Sequence, residues 1–186
     1  MSDSNITKRA LAQTMKELMA REPFSKISVG DICETCGMSR KSFYYHFKDK
    51  YDLVSWIFYT EFIQTIPTAG YDSPWDFLEG ICDYFYREHE FYRSAMQIQG
   101  QNSFREYFSE VMSPFIDQFL RRVFHQDAPS PFFQTFLTDA FLASLIRWLS
   151  DGVQYTPEEY LANLKKLLVE LARQVLRDLD DCADQK

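Results

Sequence analysis

Apolar positions recur along the 186-residue chain at three- and four-residue spacing rather than in alternation, the period of helices rather than strands. Residues 5–21, "NITKRALAQTMKELMAR", gather Ile6, Ala10, Leu11, Met15, Leu18 and Met19 into the apolar stripe of a first helix, which Pro23 closes. Ser28 then has the character of an N-cap. Asp31 stands at the third helical position, and Ile27 and Ile32 occupy the two positions of a hydrophobic staple. This second helix ends at Cys36-Gly37, where glycine can enter the left-handed conformation that turns the chain. Ser39 caps a third helix, with Met38 and Phe43 in the same staple positions. Residues 28–46 therefore read as helix, short glycine turn, helix. Asp49 caps a fourth helix predicted to run to about Ile66, with Leu53, Trp56, Ile57, Phe58 and Ile63 as its apolar contacts.

The segment "PTAGYDSP" is the longest candidate linker. Beyond it the pattern predicts helices at 74–88, 89–98, 102–125, 131–151 and 157–179, the third of them kinked or interrupted at Pro114. Hairpin signals of the Asn-Gly type and alternating β-branched runs are absent. The expected fold is all-α: an N-terminal three-helix helix-turn-helix unit (1–48), a connector helix (49–66) and a helical second domain (74–182).

Composition adds two features. The first is aromatic content, with 17 Phe, 11 Tyr and 3 Trp, enough to fill a large core or line a pocket. The second is charge. Overall the chain carries −7, yet residues 1–50 hold nine Lys/Arg against six Asp/Glu, and the other 136 hold 11 against 21. A basic head on an acidic body suits a molecule that meets a polyanion at one end. No run of 18 apolar residues and no N-terminal secretory pattern occurs, so the protein is expected in the cytoplasm, with no membrane partner.

The basic residues cluster in "SRKSFYYHFKDK". In a helix-turn-helix the start of the second helix enters the major groove. Here that start is Ser39, Arg40, Lys41 and Ser42, side chains able to donate to base edges. Tyr44, Tyr45 and His46 follow with polar tips, while Phe43 and Phe47 can face inward. Lys48 and Lys50 open the next helix, a place suited to phosphate. The alternative is a solvated basic face on a structural helix. "CETC" offers Cys33 and Cys36 as a redox or zinc pair, but no second pair completes four ligands. It also closes a helix rather than opening one, so core packing is the expectation. Histidines 46, 89 and 125 lack ligand spacing, and no phosphate loop, nucleophile elbow or metal-protease pattern occurs. No catalytic residue, metal site or cofactor is expected.

On these residues the stretch 27–53, "ISVGDICETCGMSRKSFYYHFKDKYDL", resembles the DNA-binding signature of the TetR family of transcriptional regulators, a likeness that covers about residues 5–60. The sequence departs from the common pattern at Cys36, where alanine is usual, and at Arg40-Lys41, which are bulkier and more basic than average. The resemblance implies that Ser28 and Ser39 to Ser42 face DNA, that Tyr44, Tyr45 and His46 anchor the backbone, and that Lys50 meets a phosphate. It also implies an effector pocket among the middle helices, where Tyr84, Met96, Phe108 and Arg147 are candidate liners.

The last two helices carry surplus apolar surface and small residues. The resemblance implies that they pair with a second copy of the chain through Phe133, Leu137, Ala140, Ser144, Trp148, Leu161, Leu164, Leu168, Leu171 and Val175. The implied partners are a double-stranded DNA operator, a second subunit, and an unknown small-molecule effector or co-regulator protein. Most members repress. "FYYHFKDKYDLVSWIFYTEF" is similar to a subgroup of dihydroxyacetone kinase regulators, which leaves activation open. A rival reading is a sensor or interaction module that has lost DNA binding.

Overall fold

The structure, a computed structural model, describes residues 3–66, 73–98, 103–124 and 130–183, the side chains of 3, 122–124, 171, 172 and 174–183 excepted. Among the described residues there are nine α-helices and no strand. Three form the head: α1 (Asp3–Met19), α2 (Val29–Thr35) and α3 (Arg40–His46), with a 3-10 turn at Phe24–Lys26. The connector α4 (Lys50–Glu61) and a 3-10 turn (Ile63–Thr65) lead to α5 (Pro74–Arg87), α6 (His89–Met96), α7 (Phe104–Phe124), α8 (Pro131–Ser150) and α9 (Pro157–Ala183).

Local capping chemistry sets most of these boundaries. The Ser28 and Ser73 side chains accept backbone N–H bonds at the starts of α2 and α5, and Asp31 and Asp76 return the bond to complete capping boxes. Asp49 accepts from the backbone N–H groups of Tyr51 and Asp52, both at 2.8 Å, and so starts α4. Gly37, at φ 68°, ends α2: Met38 N–H reaches Cys33 O at 2.8 Å and Gly37 N–H reaches Glu34 O at 3.3 Å. These are the two bonds of a Schellman motif.

Two boundary expectations change. The connector does not continue as α-helix to Ile66; it stops at Glu61, where Phe62 turns into the body to stack on Tyr84, and Thr65 Oγ1 donates to Phe62 O at 2.6 Å. Nor does Pro114 interrupt α7, which runs through it as one helix with Pro114 exposed. The expected linker falls largely on residues 67–72, outside the described residues.

The core is continuous from head to body, and α4 is the reason. Phe58, fully buried, stacks on Phe62 and Phe85 at 5.5 and 5.7 Å, and meets Phe104 and Phe108 edge-on at 5.5 and 5.6 Å. Such a ring contributes several kcal/mol; truncating it to alanine costs about 3–5 kcal/mol. A polar tie runs beside it. Lys16 Nζ of α1 donates to Glu61 Oε2 at 2.6 Å and to Glu88 Oε2 at 3.1 Å, and the Tyr84 hydroxyl donates to the same Glu61 oxygen at 2.9 Å. Head, connector and body thus meet at one carboxylate.

Candidate nucleic-acid interface

The exposed face of the head is built on α3. Ser39 accepts the Ser42 backbone N–H at 3.1 Å and fixes the helix start. Phe43 and Phe47 are buried, and their rings lie 5.8 Å apart, so the apolar side of α3 is pinned against α1 and α2. The other side is thereby turned outward. Arg40 and Lys41 are exposed, Ser42 and His46 are half-buried, and Tyr44 and Tyr45 are 58% and 82% exposed. A tyrosine that open to solvent gains little from packing; its hydroxyl and ring are available to a partner. Lys48 is exposed just beyond the helix.

Two residues of α2 shape this face, one of which the sequence pattern did not mark. The Arg40 guanidinium folds back over Gly30: a Cβ there would lie 2.5 Å from Arg40 Nη2. A glycine inside a short helix was the available signal. Arg40 also faces Asp31. Bonds from Ser28, side chain first and then backbone, together with the Arg40 charge, hold the Asp31 carboxyl below its ordinary range. The Ser28 oxygen accepts the Asp31 N–H at 3.2 Å, and the Ser28 backbone N–H donates to Asp31 Oδ2 at 2.7 Å, so this exposed cap and its carboxylate hold each other.

Lys50 is not an open surface lysine. Its ammonium is half-buried, donating to Phe24 O at 2.7 Å and Ile27 O at 2.6 Å and lying 4.2 Å from the Phe24 ring centre. Burial holds its pKa below the usual lysine range, with the Asp31 charge pulling the other way. It ties the start of α4 to the 24–27 turn. The cysteine pair is inward too. Cys33 is buried and its thiol is pushed up by burial, then by Cys36, while the Cys36 thiol donates to Cys33 O at 3.6 Å. A raised thiol pKa suppresses thiolate, the reactive form.

In the body, none of the four candidate pocket liners borders the main cleft found among the described residues. Tyr84, Met96 and Phe108 are buried in packed core, the Tyr84 hydroxyl bonded to Glu61 and to the Tyr92 hydroxyl at 2.8 Å, and Arg147 is exposed on α8. A cavity of about 330 Å³ lies elsewhere, between α5, α7, α8 and α9. Its liners Phe77, Phe115 and Ile116 were indistinguishable from core in the sequence, because helical spacing gives the same stripe for both.

The candidate partner face divides. Trp148 and Leu161 belong to the protomer's own core: Trp148 is 4% exposed, stacks on Tyr160 and donates to Tyr155 O at 3.0 Å, and Leu161 is 4% exposed. Phe133, Ala140 and Ser144 are exposed, and Leu137, Leu164 and Leu168 half-buried. The side chains of Leu171 and Val175 lie outside the described residues. The sequence did not single out Phe132 and Phe136, which are 70% and 58% exposed and stack on each other.

A short capped helix, a glycine turn and a second helix whose outward side is basic and aromatic define a helix-turn-helix DNA-binding unit, here carried on an all-helical body. Comparison with known proteins agrees at both ends. Residues 12–56 match "Bacterial regulatory proteins, tetR family", and residues 72–170 match a TetR-type "Transcriptional regulator C-terminal region". The chain belongs to the TetR family of transcriptional regulators.

Among curated relatives it is 38% identical over 66 residues to the "HTH-type dhaKLM operon transcriptional activator DhaS" of Lactococcus lactis, a match spanning 36% of this chain and 35% of that protein. Among solved structures, a "Dihydroxyacetone kinase operon activator DhaS" aligns at TM-score 0.63 and 24% identity over 89% of this chain and 96% of that one. A TetR regulator from Streptococcus agalactiae aligns at TM-score 0.68 and 22% identity, over 89% and 94%. At these identities the structures speak to the fold. Among the described residues no helix is long and apolar enough to cross a membrane.

Proposed function

We propose that this chain acts as a cytoplasmic homodimer on a roughly palindromic operator, controlling transcription in response to a small molecule or partner protein acting on the body (74–182). Two heads (1–48) place α3 in successive major grooves about one helical turn apart. Arg40 and Lys41 reach base edges, with Ser28, Ser39 and Ser42 beside them, and Tyr44, Tyr45, His46 and Lys48 hold the backbone. The observation that carries this reading is the outward face of α3, where two open tyrosines stand beside two unburied cations. Lys50 supports that face from behind by fixing the 24–27 turn.

Repression is the proposed sign of control. Activation of a dihydroxyacetone kinase-type operon with a co-activator protein is a second reading, favoured by the 38% identity to the DhaS activator. A gel shift with DNA flanking the protein's own gene tests DNA binding. A shift that competitor DNA of random sequence does not remove supports it, and no shift at low salt refutes it. A reporter driven from the bound fragment, with and without the protein, then separates repression from activation.

A further inference from the structure

We propose that Gly30 is a specificity-determining residue of the head: the space left by its missing Cβ seats the Arg40 guanidinium, fixes where its N–H fork points, and so sets the base preferred at one position of each half-site. This rests on the DNA-binding reading above and adds to it a positioning residue that has no side chain of its own.

Gly30 is not there for its backbone. The glycines at positive φ among the described residues are Gly37 and Gly152. Gly30 lies inside the seven-residue α2, where alanine is the better helix former. What the position supplies is room. An ideal Cβ on Gly30 would stand 2.5 Å from Arg40 Nη2, 3.3 Å from Arg40 Cζ and 3.2 Å from Ser28 Oγ. The first two neighbours are the far end of an exposed side chain, and neither a core residue nor backbone is among the three. The missing Cβ therefore serves the arginine rather than the packing of α2 on α3.

Such a seat lets a long side chain read one base. A free arginine moves through many rotamers, and ordering it costs entropy at the moment of binding. Held against Gly30, it has lost much of that freedom before DNA arrives. Charge adds direction. Beside the bonds from Ser28 that chiefly lower the Asp31 carboxyl, the Arg40 charge acts on it too, which places the guanidinium along the first turn of α2. Asp31 is itself fixed, because its Oδ2 accepts the Ser28 N–H at 2.7 Å. A carboxylate beside the guanidinium weakens its pull on phosphates at large. What remains is the planar fork, whose paired donors match guanine O6 and N7.

The test compares the full chain with Gly30→Ala, Arg40→Ala and the double variant, each allowed to select from a DNA library of random sequence. Gly30→Ala should reduce the preference at one position of each half-site about ten-fold, at the same position that Arg40→Ala relaxes. Because Gly30→Ala removes no charge, its slope of log affinity against log salt should equal that of the parent chain. The double variant should match Arg40→Ala, since the glycine acts only through the arginine. Without DNA, Gly30→Ala should make the Arg40 Nε–H more mobile in nitrogen relaxation and leave the thermal transition unchanged or raised. Unchanged base preference in Gly30→Ala, unchanged Arg40 mobility, a loss spread equally over all sequences, or a further loss in the double variant overturns the proposal. So does a lowered thermal transition, which would make the glycine a packing residue. A parent chain that selects no motif sinks the DNA-binding reading, whereas a parent that selects one beside an unchanged Gly30→Ala sinks this inference alone.

Discussion

Two helices of this molecule push aromatic rings into solvent, and the difference between them separates two kinds of partner. On α3, Tyr44 and Tyr45 are 58% and 82% exposed, flanked by exposed Arg40, Lys41 and Lys48. On α8, Phe132, Phe133 and Phe136 are 70%, 48% and 58% exposed in a stretch, 131–138, that contains no charge. The first set keeps a hydroxyl on each ring and cations around it, which suits phosphates and base edges. The second has nothing to offer water and suits an apolar protein surface. Exposure alone would have placed both in one category; the chemistry at the ring edge divides them.

That comparison is open to experiment. The largest effect is expected at α8. Phe132→Asp with Phe133→Asp should weaken self-association by at least about 2 kcal/mol, roughly 30-fold, in sedimentation equilibrium. It should leave the helical signal unchanged, and an unaltered association constant would remove the partner role from that face. Next comes the contrast inside the head. Lys50→Ala loses two charge-assisted bonds and should lower stability by about 1.5–3 kcal/mol in denaturant titration, with the salt dependence of DNA binding unchanged. Lys48→Ala should do the reverse, leaving stability intact while reducing the slope of log affinity against log salt by about one. If Lys50→Ala flattens that slope instead, the lysine reaches phosphate after all.

Arg40→Ala or Lys41→Ala should cost about 1–3 kcal/mol on operator DNA and relax one base position, against little change on random DNA. Equal losses on both would make the residue a phosphate contact. The smallest effect is a titration. The Asp31 carboxyl is held below its ordinary value of 3.8, so its cap contributes stability above that value and loses it as pH falls through the lower folded value. The Ser28 N–H resonance should therefore titrate with a midpoint under 3.8, and a midpoint at or above it would mean that the capping contact is not kept in solution.

What was legible in the sequence was whatever chemistry decides locally. Ser28, Ser39 and Asp49 start helices through bonds to backbone two or three residues ahead, and Gly37 stops one through its own φ. The face of α3 followed from those, since Phe43 and Phe47 four residues apart fix which side is inward. Contacts between distant segments were not legible. Lys50 finds carbonyls 23 and 26 residues upstream, and nothing in "KDKYD" marks it off from the exposed Lys48. α8 is apolar on more than one side, so its pattern does not say that Trp148 turns inward while Phe132 and Phe136 turn out. The cleft was hidden for the related reason that a ring lining a cavity and a ring filling a core occupy the same helical positions.

The central claim is that paired α3 helices read DNA in the major groove. Hydroxyl-radical and methylation-protection footprinting on DNA that the protein selects from its genome tests it most directly. The account predicts two protected patches on one face of the duplex, centred about 34–36 Å apart, with guanine N7 protection in each half-site. Tyr45→Ala with Lys41→Ala should erase that protection. A single patch, protection confined to the minor groove, or a footprint untouched by those substitutions would contradict it.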